Sequence, residues 1–118
     1  EIPVVASCNR VSARDGHFVS CGVEVEKETS VEEVLRLMNI PTLDLPSSPD
    51  QVNNIIEDSP NREDHLWIGE GMTTTVGNIR VDGNIIRFDA LSHNTVRGAA
   101  GGVILLAEFA VKESYITK

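Results

Sequence analysis

Two apolar stretches of strand length open the chain, within residues 2–11 and 17–26. An Asp-Gly pair at 15–16 lies between them, and this dipeptide favours a tight hairpin turn. The pattern therefore predicts a β-hairpin. Because side chains alternate along a strand, this register puts Arg10 and His17 on one face at its turn end. An apolar face that ends in this pair would form the floor of a pocket for a small anion.

The next periodic segment has the spacing of a helix. Apolar residues recur at i, i+3, i+4 and i+7, at Val31, Val34, Leu35 and Met38. Ser30 and Glu33 form a capping box at its start, and Pro41 disfavours helix in the residue before it. The sequence predicts a helix that begins after Ser30 and ends near Asn39.

Further strand and loop signals fill the middle of the chain. Residues 50–57 fit either a helix start or a short strand, and the polar residues 59–70 predict a loop. Residues 72–81 and 84–91 predict two strands joined at a second Asp-Gly turn.

The last helix is predicted to begin with Asn94 or Thr95 as its cap and to run to about Glu113. It is apolar on most sides, so it should be buried, or should bury itself in a surface absent from this chain. Its start, residues 94–102, is rich in small residues. Free N–H groups at a helix start bind anions, but the same small residues also suit tight helix packing. The stretch lacks the glycine fingerprint of dinucleotide binding.

Composition limits the classes of function. The chain has 118 residues, enough for a single domain with a core, and its net charge is -8. This charge opposes nucleic acid or an anionic membrane as a main partner. No apolar run has the length of a membrane span and no signal segment opens the chain, so we expect a cytoplasmic protein. The chain begins at Glu1 without a Met, and we expect it to be a piece of a longer protein.

Arg10 and His17 form the candidate functional pair. A guanidinium holds a carboxylate by paired hydrogen bonds, and an imidazole changes charge near neutral pH. The alternative is a hairpin that carries two polar residues near its turn. Cys8 and Cys21 would be diagonal neighbours, too far apart for an unstrained disulfide, so we expect free, buried thiols. The histidines and cysteines lack metal-ligand spacing, and no metal site is expected.

The stretches around these residues resemble the C-terminal portion of the aspartate-semialdehyde dehydrogenases of the archaeal and fungal branch. The first resembles that family's segment at Ser7, Cys8, Arg10, Val11, Gly16 and His17. The second resembles its His-Asn-Thr-x-Arg-Gly-Ala-Ala-Gly segment, here residues 93–101. Residues 45–46 and 71–80 also match in order and spacing. Archaeal malonyl-CoA reductases share this architecture.

The resemblance implies an α+β domain, residues 1–118, with a largely antiparallel or mixed sheet and helices on one face. It belongs in a two-domain, NADP-dependent oxidoreductase of amino-acid biosynthesis, whose absent N-terminal domain carries the nucleotide-binding turn and the catalytic cysteine. Arg10 would grip the substrate carboxylate, His17 would be the acid/base partner of that cysteine, and Asn94 would lie by the nicotinamide. The sheet face would form a homodimer or higher homo-oligomer. The isolated chain would be inactive.

Two departures from the family pattern leave the substrate open. Phe18 stands where the family usually has Thr, Ser or Tyr, and residues 59–63 replace an Arg-Pro-Gln-Pro-Arg loop. A reductase of malonyl-CoA or another acyl-CoA is therefore an alternative, and so is a non-catalytic assembly domain. The family pattern also favours an extended conformation over residues 52–57.

Overall fold

The computed structural model describes residues 3–116. Its strands are β1 (His17–Glu24), β2 (Asn53–Ile55), β3 (Thr74–Asp82) and β4 (Ile85–Ser92), and its α-helices are α1 (Val31–Met38), α2 (Arg62–His65) and α3 (Gly101–Lys112). A 3-10 turn at Ile68–Gly71 follows α2, and a π-helical turn at Val96–Ala100 leads into α3.

The strands form one mixed sheet in the order β1-β4-β3-β2. β4 pairs antiparallel with both β1 and β3, and β2 pairs parallel with β3. A mixed sheet with helices confirms the predicted α+β class. The extended conformation expected over residues 52–57 is confirmed for its centre, where β2 occupies Asn53–Ile55.

The predicted N-terminal hairpin is wrong. Residues 3–11 of its first strand have no strand structure, and Ile2 lies outside the described residues. Its second strand forms as β1, but β1 pairs with β4, so that His17 lies opposite Ser92. The Asp-Gly signal is local, whereas strand pairing depends on the partners that the whole sheet offers. The free edge of the β3–β4 pair is the partner that β1 takes.

Two other local signals are confirmed. The N–H of Glu33 donates to Ser30 Oγ at 3.2 Å, which caps α1 as predicted. β3 and β4 form the hairpin expected at the second Asp-Gly pair, with Asp82 opposite Ile85. Both features need only neighbouring residues, and this is why the sequence alone predicts them.

The last helix ends where it was predicted to end, since Glu113 follows α3 as its C-terminal cap. The predicted N-terminal cap is right in position, because Thr95 stands at the cap of the π-helical turn that leads into α3, but its side chain does not form the cap. Thr95 makes no capping hydrogen bond with its side chain, and the Asn94 side chain accepts the N–H of Gly16 instead. The N–H of Val96 donates to Nδ1 of His93 at 3.3 Å, so a histidine takes the place of the usual cap.

The apolar core packs around the β3–β4 pair. Its buried residues are Val34, Leu66, Met72, Val76, Leu91 and Leu105. Leu105 is the buried residue of α3, whereas Val103, Ile104 and Leu106 are 54–66% exposed. A helix with this much exposed apolar surface is typical of one that packs against further protein.

Within residues 3–116 no helix combines the length and apolar character needed to cross a membrane.

Candidate active site

The pairing of β1 with β4 brings together the two segments that carry the family resemblance, the one that ends at His17 and the one at residues 93–101. His17 lies opposite Ser92, so the residues just before β1 meet the residues just after β4. The N–H of Gly16 donates to Asn94 Oδ1 at 2.7 Å and closes this junction. Gly16 and Asn94 are 78 positions apart in sequence, so two distant segments of the chain share one end of the sheet.

Gly16 makes the turn that delivers His17 to this junction. Its φ of +114° is a conformation that residues with a side chain rarely adopt. Its Cα packs beside Leu66 and Leu91, since a Cβ there would lie 3.4 and 3.7 Å from their methyl groups. The Asp-Gly signal is thus used to enter a strand and not to close a hairpin.

A cleft of about 770 Å³ opens at this end of the sheet. Residues 7–11 and 13–18 line it together with Arg62, Leu91 and Asn94. The three residues predicted to act in the site, Arg10, His17 and Asn94, all line this cleft. A pocket bordered by Arg10 and His17 is therefore present, although the predicted hairpin is not what forms it.

Arg10 and His17 line the cleft as unpaired polar groups. Both are exposed, and within residues 3–116 neither makes a side-chain hydrogen bond or an ion pair. A guanidinium with all its donors free suits a carboxylate, and a free imidazole can accept or give a proton. Both side chains are therefore available to a ligand, with no competing partner in the described part of the chain, and their roles stay a prediction.

The residues that line the cleft carry a net charge opposite in sign to that of the whole chain. It contains three arginines, Arg10, Arg14 and Arg62, and one acid, Asp15. The acid lies with Oδ2 3.7 Å from Arg14 Nε, so it is paired within the lining. With His17 neutral, three arginines minus one aspartate give a lining charge of +2 in a chain of -8. A cleft of this sign concentrates anions.

Arg62 is held by one edge of its guanidinium. It is the first residue of α2, which Asn61 caps by accepting the N–H of Asp64 at 2.9 Å. Its Nε donates to the carbonyl oxygen of Asp15 at 2.8 Å. In the described part of the chain its Nη groups have no hydrogen-bond acceptor, so these donors are available to a ligand.

Asn94 presents an amide donor to the same cleft. Its Oδ1 is occupied by Gly16, and its Nδ2 has no partner within residues 3–116. A free amide N–H suits a carbonyl oxygen on a ligand, and the carboxamide of nicotinamide offers one. Its predicted place beside the nicotinamide stays a prediction.

His93, the residue directly before Asn94, is a buried histidine. It is 2% exposed, and its Nδ1 accepts the N–H of Val96. The ring proton therefore lies on Nε2, which has no partner among the described residues. Trp67 packs edge-on against the ring, with centroids 4.3 Å apart, and Gly71 leaves the ring its space. These contacts fix the turn that carries Asn94.

A buried carboxylate, Asp89 on β4, lies elsewhere in the sheet. It is 8% exposed and accepts hydrogen bonds from Ser20 Oγ at 2.6 Å, Ser59 Oγ at 2.8 Å and Asn78 Nδ2 at 2.8 Å. Burial acts to raise the pKa of Asp89, but the three hydrogen bonds and nearby Arg80 outweigh it and lower the pKa below its ordinary value. This carboxylate joins β1, β3 and the segment before α2.

The two thiols differ from expectation. Cys8 and Cys21 are both free, as predicted, but Cys8 is exposed and lines the cleft, while Cys21 is half-buried. The expectation of buried thiols is wrong for Cys8 because its segment forms no strand and so has no apolar face to join. In the described residues no group of three or more His, Cys, Asp or Glu is placed to hold a metal ion.

Sequence reasoning missed the parts played by Arg62 and His93. Arg62 lies in the loop that departs from the family pattern, and His93 directly precedes Asn94 in the second motif. These were the available signals. The sequence pattern did not indicate a role for either residue. Arg62 contacts Asp15, which is 47 positions away, and His93 acts through its packing.

The chain is similar to known proteins in both sequence and fold. The chain is 45% identical over 121 residues to an aspartate-semialdehyde dehydrogenase of Archaeoglobus fulgidus. The match covers 98% of this chain and 35% of that protein. It is 34% identical over 128 residues to the NADP malonyl-CoA reductase of Metallosphaera sedula, which spans all of this chain and 36% of that protein. The crystal structure of aspartate semialdehyde dehydrogenase with NADP from Candida albicans matches with a TM-score of 0.70 and 30% identity, over 86% of this chain and 31% of that one. No family model matches.

The mixed sheet and its cleft define a domain of the semialdehyde dehydrogenase class. The homologues of the chain are aspartate-semialdehyde dehydrogenases, a malonyl-CoA reductase matches as well, and the resemblance drawn from the two motifs is confirmed. It spans about 35% of the length of the curated relatives it matches.

Proposed function

We propose that the chain is the C-terminal substrate-binding and dimerisation domain of an NADP-dependent aspartate-semialdehyde dehydrogenase, which interconverts aspartyl phosphate and aspartate semialdehyde. The observation that carries the proposal is the single cleft shared by Arg10, His17 and Asn94. A cation, a proton carrier and an amide donor around one cleft are groups that this reaction uses. The 45% identity to the Archaeoglobus fulgidus enzyme supports the same reaction.

Each of the three residues has one role. Arg10 binds the substrate carboxylate through paired charge-assisted hydrogen bonds. His17 moves protons at the reacting carbon. Asn94 donates its Nδ2–H to the nicotinamide carboxamide, while Gly16 holds its Oδ1. Bound NADP supplies the hydride acceptor.

In the oxidative direction, the bonds made and broken define what each residue does. His17 first takes the proton of a cysteine thiol from the nucleotide-binding domain. The thiolate then attacks the aldehyde carbon, and His17 gives the proton to the alkoxide that forms from the carbonyl oxygen. His17 removes that proton again as hydride leaves the carbon, and a thioester results. A phosphate oxygen then attacks the thioester carbon, the C–S bond breaks, and aspartyl phosphate is released with the thiolate.

A second domain is part of the proposal. Two exposed apolar side chains of α3, Val103 and Leu106, line a groove of about 580 Å³ together with Leu43, Leu105 and Phe109. The relatives are about three times as long as this chain, which supports a nucleotide-binding domain that covers this groove. Without that domain the isolated chain lacks the nucleotide-binding turn and the nucleophile. It should not oxidise aspartate semialdehyde.

Self-association through the sheet is the second structural part. β1 is an edge strand, and Val19 and Val23 on it are 38% and 42% exposed. An open strand edge with exposed apolar side chains favours pairing with another copy. We therefore infer a homodimer or higher homo-oligomer, working in the cytoplasm.

A reductase of an acyl-CoA is the second candidate. The 34% identity to the malonyl-CoA reductase of Metallosphaera sedula supports it. The thioester that this reaction reduces resembles the enzyme-bound thioester described above, so the same cleft residues would serve. Phe18, in the cleft beside His17, is where the chain departs from the dehydrogenase pattern.

Substrate profiling of the complete two-domain enzyme tests the proposal. NADPH formation from aspartate semialdehyde, NADP and phosphate is compared with NADPH consumption on malonyl-CoA. The proposal expects the higher kcat/KM for aspartate semialdehyde. A higher value for malonyl-CoA would contradict it in favour of the reductase, and no turnover of either would favour an assembly domain.

A further inference from the structure

His93 is a buried polar side chain to which the proposed roles give no task. It is 2% exposed, and it directly precedes Asn94, the proposed neighbour of the nicotinamide. Its two ring nitrogens differ in what they contact. Nδ1 lies 3.3 Å from the main-chain nitrogen of Val96 and 3.2 Å from the hydroxyl oxygen of Thr95, whereas Nε2 has no partner within residues 3–116. A neutral ring that accepts a main-chain N–H at Nδ1 carries its proton on Nε2.

His93 closes the turn that carries Asn94 with both its side chain and its main chain. The ring accepts the N–H of Val96, and the carbonyl oxygen of His93 accepts the N–H of Gly98 at 3.0 Å. Asn94 lies in the sequence between the ring and the two donors that it holds. The imidazole therefore takes the role that a cap has at the start of a helix, and the path of the main chain at Asn94 depends on it.

The seat of the ring is built from unfavourable backbone. Gly69, Glu70 and Gly71 have φ values of +59°, +56° and +82°, a left-handed run that includes one residue with a side chain. This run brings Gly71 against the ring, since a Cβ there would lie 3.3 Å from three atoms of His93. Trp67 contacts the ring edge-on, with the two centroids 4.3 Å apart. Strain that is kept beside one buried ring indicates that the place of this ring matters to function.

We propose that His93 is a positioning residue, which directs the amide of Asn94 to the nicotinamide through the hydrogen bond that its Nδ1 accepts from Val96. The proposal rests on the function proposed above and adds the residue that orients one of its groups. The Asn94 side chain is held at its other end as well, because its Oδ1 accepts the N–H of Gly16 at 2.7 Å. With main chain and Oδ1 both held, Nδ2 is ordered before a ligand arrives and loses less conformational freedom on binding.

The test uses the complete two-domain enzyme and separates the two ring nitrogens. His93→Asn places an amide oxygen near the position of Nδ1, His93→Gln extends an amide to the position of Nε2, and His93→Leu offers neither. His65→Leu is the matched control. The Nδ1 of His65 also accepts a main-chain N–H, that of Asn61 at 3.1 Å, but this residue belongs to α2 and does not line the cleft. The measurements are the calorimetric Kd for NADP, KM for NADP and KM for aspartate semialdehyde.

His93→Leu and His93→Gln should raise the Kd and KM for NADP by roughly 3- to 10-fold, as expected for loss of one neutral hydrogen bond. His93→Asn should stay within about twofold of the wild type, because it keeps an acceptor for Val96. KM for aspartate semialdehyde should change by no more than about twofold, since Arg10 holds that ligand. His65→Leu should match the wild type. If His93→Gln keeps the affinity for NADP and His93→Asn loses it, Nε2 is the nitrogen that matters and the proposal is overturned.

A double-mutant cycle shows whether His93 acts through Asn94. Asn94→Ala removes the amide, and adding His93→Leu to it should leave the Kd for NADP where Asn94→Ala alone puts it, because no amide is left to orient. Two effects that simply multiply would overturn the proposal and leave His93 as a structural residue.

The wild-type ring gives a test that needs no variant to fold. Nitrogen NMR of the buried histidine, whose ring N–H exchanges slowly with water, should show the proton on Nε2 both with and without NADP. A proton on Nδ1 in either state would exclude the hydrogen bond from Val96 and overturn the proposal.

The two proposals fail in different ways. If the wild-type enzyme does not turn over aspartate semialdehyde, but His93→Leu weakens NADP binding and His93→Asn does not, the dehydrogenase function is wrong and the positioning role stands. If turnover is normal and NADP binding is the same in all His93 variants, the positioning role is wrong and the function stands. Melting temperatures of the variants within a few degrees of the wild type show that each one folds.

Discussion

Two charged clusters in this domain are built in opposite ways. Asp89 is buried, and donors from β1, β3 and the segment before α2 occupy its carboxylate. In the cleft, Arg10 and His17 have no polar partner within residues 3–116, and Arg62 has one anchor. A charge whose partners all come from the fold stabilises the fold, and a charge without them at a cleft is available to a ligand.

Because the two clusters differ in this way, mutations in them should have different consequences. Changes around Asp89 should alter stability with little direct effect on chemistry. Changes at Arg10 or His17 should alter kinetics with little effect on stability, since neither side chain makes a hydrogen bond or an ion pair within the described residues. Each of the following experiments tests one side of this division, in order of expected effect.

His17→Gln should produce the largest change. Gln retains hydrogen bonding but cannot take a proton, so kcat in the complete enzyme should fall by roughly 10²–10⁴-fold. The pH–rate profile should also change, because the variant has no ring to carry the proton. The melting temperature should stay the same, because the ring is exposed and unpaired. If kcat and the pH profile survive while KM rises, His17 is a binding residue.

Asp89→Asn should be the most damaging change to stability. An amide replaces one acceptor oxygen with a donor, which faces either Ser59 and Asn78 at the position of Oδ2 or Ser20 at the position of Oδ1. Loss of a hydrogen bond to a buried charge should lower the free energy of unfolding by about 2 kcal/mol. Urea denaturation measures this, with Asp82→Asn on the exposed β3–β4 turn as control. Equal values for the two variants would show that the network contributes nothing.

The same carboxylate predicts acid sensitivity. The pKa of Asp89 is lowered in the fold, mainly because the hydrogen bonds from Ser20, Asn78 and Ser59 overcome the opposing effect of burial. In acid the folded state therefore binds fewer protons than the unfolded state. The stabilisation is present above the ordinary aspartate pKa of about 3.9 and is lost as pH falls through the lowered value. Between pH 6 and pH 3 the wild type should lose stability faster than Asp89→Asn, and parallel curves would refute this.

Ser30→Ala should have the smallest effect. It removes the side-chain cap of α1, where Oγ accepts the N–H of Glu33, and should cost about 1 kcal/mol of unfolding free energy. The helix contributes no residue to the cleft, so kcat and KM should not change. A kinetic defect in this variant would show that stability and catalysis are coupled more closely than the two clusters suggest.

The sequence predicted what depends on neighbouring residues. The cap at Ser30 and the turn at Asp82 need only a few adjacent positions. The first hairpin was wrong because the partner of His17 is Ser92, far along the chain, and no local pattern reports which strand edge is open. The family resemblance supplied Arg10, His17 and Asn94 as a set, and the structure gathers them in one cleft. Tertiary contacts such as Arg62 to Asp15 lay beyond both kinds of reasoning.

The central claim is that the unpaired cations of the cleft are there for the substrate. The most direct measurement compares Arg10→Lys with the wild type on two aldehydes, aspartate semialdehyde and the aminoaldehyde that lacks its carboxylate. Lysine keeps the charge but loses the planar two-point grip. The account predicts that kcat/KM for aspartate semialdehyde falls by roughly 10–150-fold, while kcat/KM for the aminoaldehyde hardly changes. An equal fall for both aldehydes would contradict the account, because Arg10 would then act without touching the carboxylate.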